Sequence, residues 1–331
     1  MKSEIIRLLR EAENYVSGQE LCNQFTVSRT AIWKVINQLK AEGYQIEAVR
    51  NKGYRLIESS DVVGKEAIVS HIQSKQLGCK VVSFDVTDST NVQAKLLAEQ
   101  GCPHGTLVVA DEQSSGRGRR GRQWISKAGE GIFMSVVLRP TFEPNYASML
   151  TLVMAYSIAK VLERYQETSK LPIDVRIKWP NDIVINQKKL CGILTEMSTE
   201  IDYINYVVIG VGINVNTQVF EQEIEHIATS WKKESGTSIH RAQLIGDILY
   251  EFEYQYEKFI EKCSLKYLLD GYNSLLINNN QMVRVLDPQA SYEGIARGIN
   301  DVGELLVETT DGSLQKVYAG EVSVRGLYGY V

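Results

Sequence analysis

Residues 116–122 read GRGRRGR, four arginines interleaved with three glycines and no apolar side chain. Gly116, Gly118 and Gly121 match G-x-G-x-x-G, the fingerprint of a doubly wound, dinucleotide-binding sheet. That fingerprint requires a helix opening directly from a strand, with an acidic residue about 20 positions on. Here Gln113, Ser114 and Ser115 separate the glycines from the strand-like residues 107–110, and residues 124–131 read as loop. The doubly wound reading is therefore set aside. What remains is a self-repelling cationic segment that cannot bury itself. Guanidinium forks match carboxylate and phosphate oxygens, and glycine lets a backbone approach its ligand closely. The expected partner is a small molecule with several anionic oxygens.

Outward from this loop, strand patterns fall at residues 81–84, 106–110, 132–138, 175–178, 193–196 and 206–211, and helical patterns at 91–99, 147–165 and 241–261. Many strands with few helices between them predict an α+β domain with a mixed, largely antiparallel sheet. Residues 282–331 alternate short strands with turns at Asp287-Pro288 and Asp311-Gly312, the pattern of a small β-barrel.

The amino-terminal residues read differently. An apolar stripe (Ile5, Ile6, Leu8, Leu9, Ala12) predicts a helix over 2–14, and Ser17-Gly18-Gln19-Glu20 is a capping box opening a second. After a turn at Phe25-Thr26-Val27, Ser28 caps a third helix that buries Ala31, Ile32, Val35, Ile36 and Leu39 and ends at Gly43. A hairpin follows, 44–49 with 54–57, tipped by Arg50, Asn51, Lys52 and Gly53. This is a winged helix-turn-helix. Some winged helices are only protein-interaction modules, but polar and basic residues here favour DNA: Ser28, Arg29, Thr30 and Lys34 open the recognition helix toward the major groove, and Arg50 and Lys52 are placed to reach the backbone from the wing. Trp33, between two inward positions, reads as a packing residue. Charge supports a polyanionic partner: residues 1–57 hold nine Lys/Arg and six Glu, a net of +3 in a chain whose net is −4.

Composition is that of a globular protein, 44% hydrophobic and 23% charged. No apolar run reaches a membrane span and no signal-peptide core opens the chain. Five scattered cysteines form no C-x-x-C pair. Neither a disulfide framework nor a zinc site is expected, no membrane partner is expected, and the cytoplasm is the expected address.

Four constellations break the apolar patterns of the central region. Asp88-Ser89-Thr90-Asn91 exceeds what one helix cap requires, leaving hydroxyls for a ligand's polar head. Lys178-Trp179-Pro180-Asn181-Asp182 puts charge at a turn that needs only Pro-Asn-Asp. Asp182 there is a salt-bridge partner, a metal holder, or the group that orients an incoming amine. In Lys188-Lys189-Leu190-Cys191-Gly192-Ile193-Leu194, one lysine is an ordinary edge charge, while Lys189 enters an apolar strand beside Gly192 and needs an anionic partner. Gly210-Val211-Gly212-Ile213-Asn214 ends a strand with two glycines, marking a bulge or a close backbone approach to a ligand.

These tracts, in this order and behind a winged helix, resemble the bifunctional biotin–protein ligase and biotin operon repressor family over nearly the whole chain. The resemblance implies a winged helix-turn-helix over residues 1–60, a class II synthetase-like catalytic domain over 61–276 and an SH3-like barrel over 277–331. It assigns Ser89, Thr90, Asn91, Gln113, Arg117, Gly118, Arg119, Lys189 and Gly192 to biotin. It assigns Arg119, Arg122, Trp124, Lys178, Asn181, Asp182 and Asn214 to the nucleotide. Lys189, Arg119 and Asp182 become the catalytic set. Biotin and ATP are the implied substrates, with Mg²⁺ expected and no residue singled out as its ligand. The implied partners are a biotin carboxyl carrier domain, operator DNA and a second copy of the chain when biotinyl-5′-AMP is bound. One position departs: Trp231 stands at the expected floor of the nucleotide site, where a smaller aliphatic residue is expected. Two rivals share many of these features, a lipoate or other acyl-acid ligase and a biotin-sensing repressor with weak catalysis.

Overall fold

The computed structural model describes all residues except 59–60, 171, 202, 287–290, 319–322 and 327–330. The expected turn at Asp287-Pro288 lies outside the described residues. The chain opens with α1 (Lys2–Glu11), α2 (Gly18–Phe25) and α3 (Arg29–Ala41), then the hairpin β1 (Gln45–Val49) and β2 (Gly53–Glu58). The apolar stripes bury Ile5, Ile6 and Leu9 of α1, Leu21 of α2, and Ile32, Val35, Ile36 and Leu39 of α3 in one core. Ser17 caps α2 and Ser28 caps α3 through their side chains, and Gly43, at φ 96°, turns the chain out of α3. Helix α1 is three residues shorter than its stripe predicts. Ala12 is already extended, because the chain must run on to Val16, which pairs with Tyr54 beside the wing.

After α4 (Lys65–Val69) comes β3 (Val81–Thr87), α5 (Thr90–Glu99), β4 (Thr106–Gln113) and β5 (Gly131–Leu138), then the long α6 (Met149–Ser169). Four further strands, β6 (Val175–Lys178), β7 (Asp182–Ile185), β8 (Lys188–Thr199) and β9 (Ile204–Asn214), complete a sheet of order β3-β4-β5-β9-β8-β7-β6. Only β3 and β4 run parallel. The mixed, mainly antiparallel sheet is the one the strand pattern predicts. Helix α5 covers one face through Ala94 and Ala98, and α6 packs the other together with α8 (Arg241–Lys262), which follows α7 (Trp231–Ser235). Covered on both sides, β5 is buried at every position and reads as an almost unbroken apolar run.

Beyond α9 (Leu269–Leu275), five strands, β10 (Met282–Leu286), β11 (Tyr292–Ile299), β12 (Leu305–Glu308), β13 (Leu314–Val317) and β14 (Ser323–Gly326), form an antiparallel sheet of order β13-β12-β11-β10-β14. The turn at Asp311-Gly312 joins β12 to β13 as expected, with Gly312 at φ 81°. The indole N–H of Trp179 donates to Gly303 O at 3.1 Å and ties this sheet to the seven-stranded one.

Candidate functional site

Sheet register builds the floor of the site. Antiparallel pairing aligns Ala110, Phe133, Gly212, Gly192 and Asp182 in one row across five strands. Two residues along, on the same face, a second row aligns Val108, Ser135, Gly210 and Leu194. Three of these positions are glycine, so the sheet face is cleared along a groove. Side chains from elsewhere lie in it. A Cβ at Gly212 would sit 2.6 Å from the Trp124 ring and one at Gly192 2.9 Å from it. A Cβ at Gly210 would overlap the Asn91 amide. The side chains that approach the backbone at Gly210 and Gly212 are thus the protein's own Asn91 and Trp124.

The DSTN tract forms one end. Ser89, Thr90 and Asn91 are all buried. Thr90 N–H donates to Gln113 Oε1 at 2.8 Å, and Gln113 Nε2 donates to Ser126 Oγ at 2.8 Å. The helix start is thus capped by a distant glutamine, and the Ser89 hydroxyl makes no cap. Asn91 Nδ2 donates to Glu196 at 2.8 Å, and the Ser135 hydroxyl lies 2.6 Å from Asn91 Oδ1 and 2.8 Å from Thr90 Oγ1. Burial alone would raise the Glu196 carboxyl, but hydrogen bonds from Lys95 and Asn91 hold it below its ordinary value. Ser135, Ser126 and Glu196 escaped the sequence reading. For Ser135 a signal existed: it is the one hydroxyl in the apolar run of β5.

Cations form the other end. Lys189 Nζ stands 2.7 Å from Asp182 Oδ1, so the anionic partner demanded by an inward lysine is the aspartate one strand away. The same ammonium lies 5.5 Å from the Trp124 ring centre, a cation–π distance. Lys178, buried, faces Asp182 across the β6–β7 pair. Arg119 donates to Asn181 Oδ1 at 2.7 Å, and Asn181 Nδ2 donates to Ile193 O at 3.1 Å. Burial pulls the Arg119 guanidinium below its ordinary pKa against the opposing charge of Asp182. Asn214 is buried and donates to Thr229 O at 3.1 Å.

The arginine–glycine loop folds back on itself as an arch. Trp124 N–H donates to Gly116 O at 2.9 Å and Gly118 N–H to Arg122 O at 2.7 Å. Its tip turns through Arg120 (φ 58°) and Gly121 (φ 72°). Arg117 and Arg122 are exposed at its rim, whereas Arg119 points inward to Asn181.

A cavity of about 960 Å³ joins both ends, and Ser89, Thr90, Asn91, Gln113, Arg117, Gly118, Arg119, Arg122, Trp124, Lys178, Asn181, Asp182, Lys189, Gly192 and Asn214 all line it. Its outer wall is a segment the motifs did not reveal, with Val219, Phe220, Ile224 and His226. That segment is held where Lys189 N–H donates to Ile227 O and Thr229 N–H to Lys189 O. No spacing rule connects it to the motifs. Trp231 does not form the floor. It is buried and packs edge-on against Tyr165, 6.3 Å between ring centres, away from the cavity-lining side chains.

On the amino-terminal module, Ser28, Arg29, Thr30, Lys34, Arg50 and Lys52 are all exposed. The Ser28 hydroxyl accepts from Ala31 N–H, and Arg29 donates to Gln19 at 2.9 Å. Trp33 does not pack in the core. It is 57% exposed on the outer face of α3, because residue 33 lies about a third of a turn from the centre of the arc formed by inward positions 32, 35, 36 and 39. The described residues contain no group of three His, Cys, Asp or Glu side chains able to hold a metal, and no helix long and apolar enough to cross a membrane.

Residues 83–214 match the Biotin/lipoate A/B protein ligase family, residues 2–55 an HTH domain, and residues 280–325 the Biotin protein ligase C terminal domain. The bifunctional ligase/repressor BirA of Bacillus subtilis (strain 168) is 40% identical, over 98% of this chain and 98% of its own. That of Escherichia coli (strain K12) is 33% identical, over 97% and 96%. The structure of biotin protein ligase from Aquifex aeolicus in complex with biotin and ATP is similar with a TM-score of 0.64 and 29% identity, covering 75% of this chain and 99% of that one.

Proposed function

The chain belongs to the biotin protein ligases, in their bifunctional ligase/repressor form, and from that premise we propose that it makes biotinyl-5′-AMP, transfers biotin to a lysine of a biotin carboxyl carrier domain, and represses transcription as an operator-bound homodimer with the adenylate as corepressor. The catalytic unit spans residues 61–276, between the DNA-binding module at 1–60 and the carboxy-terminal sheet at 277–331. The cytoplasm is the compartment that supplies its substrates.

One observation carries the catalytic reading: a single cavity runs from a buried hydroxyl and amide cluster to Lys189, Asp182 and Arg119. Biotin's polar ring system suits Ser89, Thr90, Asn91 and Gln113, and its carboxylate then points toward Arg117, Gly118, Arg119, Gly192 and Lys189. Arg119, Arg122, Lys178, Asn181, Asp182 and Asn214 serve the nucleotide, with Trp124 covering the adenylate. A carboxylate oxygen attacks the α-phosphorus. The bond from that phosphorus to the β-bridging oxygen breaks, and pyrophosphate leaves. Two anions must meet, so the barrier is electrostatic and fixed cations lower it. Lys189, held by Asp182, bridges the carboxylate and the α-phosphate oxygens, while Arg119 neutralises charge from the arch. Mg²⁺ carried on ATP would be held mainly by the phosphates and would share the pyrophosphate charge; it would need only one or two protein carboxylates, and Asp182, Glu112, Glu130 and Glu221 line the cavity. In the second step the carrier amine attacks the acyl carbon, AMP departs and the amine loses its proton. Asp182 orients that amine.

The test is to incubate the chain with biotin, MgATP and a carrier domain. The expected result is one biotin per carrier lysine, with AMP and pyrophosphate released. Faster adenylation of lipoate than of biotin would overturn the assignment.

A further inference from the structure

We propose that Trp33 is a sequence-reading residue of the operator complex, contacting a thymine methyl group in the major groove. This rests on the operator-binding reading of the amino-terminal module and goes beyond it by naming a specificity determinant. Helix α3 divides cleanly. Ile32, Val35, Ile36 and Leu39 are buried, while Arg29, Thr30, Trp33, Lys34 and Asn37 are exposed at positions that fall on one stripe. Trp33 lies in the middle of that stripe, one turn after Arg29 and beside Lys34, and is 57% exposed.

Solvent gains nothing from an indole there. Among the described residues, no ring or cation contact involves Trp33. The contrast is with Tyr15 near the wing, whose ring carries both Lys52 and Arg55 at 5.7 and 5.0 Å. The surroundings say what covers Trp33. Arg29 and Lys34 on the same stripe and Arg50 and Lys52 on the wing are cations suited to phosphates. A large apolar side chain framed by phosphate-binding cations on a recognition helix faces base edges. The one apolar group those edges present in the major groove is the thymine C5 methyl.

The experiment uses the full chain saturated with biotin and MgATP. A duplex is selected from a random-sequence library, and its affinity is compared with that of a scrambled duplex of the same composition. Trp33→Ala is expected to reduce the ratio of selected to scrambled affinity by about 5- to 100-fold, the range for one base contact. Its salt dependence should match that of wild type, because an uncharged side chain releases no counterions. Trp33→Phe should keep most of the preference. Replacing single thymines by uracil should weaken wild type at one position per half-site and leave Trp33→Ala indifferent there. A preference within two-fold of wild type in Trp33→Ala, or equal uracil penalties in both proteins, would overturn the role of Trp33 alone. A wild-type chain that enriches no duplex would overturn the repressor reading and this role together. Unchanged thermal stability of Trp33→Ala separates loss of contact from loss of fold.

Discussion

Lys189 draws its chemistry from its address. In water its ammonium would be one cation among many, but here it is tied 2.7 Å from Asp182 and set beside the Trp124 ring. Fixing a donor before reaction removes the cost of reorganising it when charge develops. Lys189→Ala is therefore expected to slow biotin-dependent pyrophosphate exchange by about 10²–10³-fold, the usual loss for one preorganised donor. A rate within a few-fold of wild type would remove it from the first step. The sequence signalled this residue because a lysine entering an apolar strand needs a counter-charge. Trp33 shows the opposite outcome. Flanked by inward positions it reads as core, yet the helical angle puts it outside.

At the scale of elements, the site is a product of strand register. Gly192 and Gly212 are partners on adjacent strands, and their missing side chains make the slot that holds the Trp124 indole. A methyl at residue 212 would sit 2.6 Å from that ring and displace it. Gly212→Ala should weaken biotin binding in the presence of an ATP analogue by about 10-fold, as overpacking usually costs roughly 1–3 kcal/mol. Calorimetric titration checks this, and an unchanged Kd would mean that the indole does not shape the ligand site. The glycine motif was visible in the sequence. Its purpose was not, because one strand's sequence does not reveal which residues its neighbours place alongside.

Across the whole molecule, Arg241 joins distant parts of the chain. Only 3% exposed, it contacts Asp61 and Asp111 at 2.8 and 2.7 Å and donates to Gly131 O at 3.0 Å. It so ties the segment after the wing to the root of the arch and the start of β5. Arg241→Met leaves two carboxylates without their buried counter-ion and is expected to lower stability by about 3 kcal/mol, at the low end for breaking a buried pair because both aspartates are partly hydrated. Chemical denaturation measures it. A second contact joins the modules where Arg10 Nη1 faces His71 Nδ1 at 3.0 Å. Burial, with Arg10 and then His240 nearby, drops the His71 pKa to about 4 from 6.5. Unfolded, this histidine takes up a proton near pH 6.5, while folded it resists until about pH 4. Its contribution to stability is therefore complete above pH 6.5 and lost as pH falls toward 4. The melting temperature should fall across that window, and His71→Asn, which keeps an acceptor for Arg10, should flatten the fall. An equal slope in both proteins would exclude His71 as its source.

By itself the sequence determined the winged helix, the mainly antiparallel sheet, the terminal strands and the cavity-lining residues of its four motifs, since periodicity, caps and misplaced charge are local signals. Tertiary structure alone decided that Glu196 and the wall around His226 join them and that Trp231 withdraws into the core. Such placements follow from strand register and chain crossings between residues far apart in sequence, and a local pattern carries no information about them.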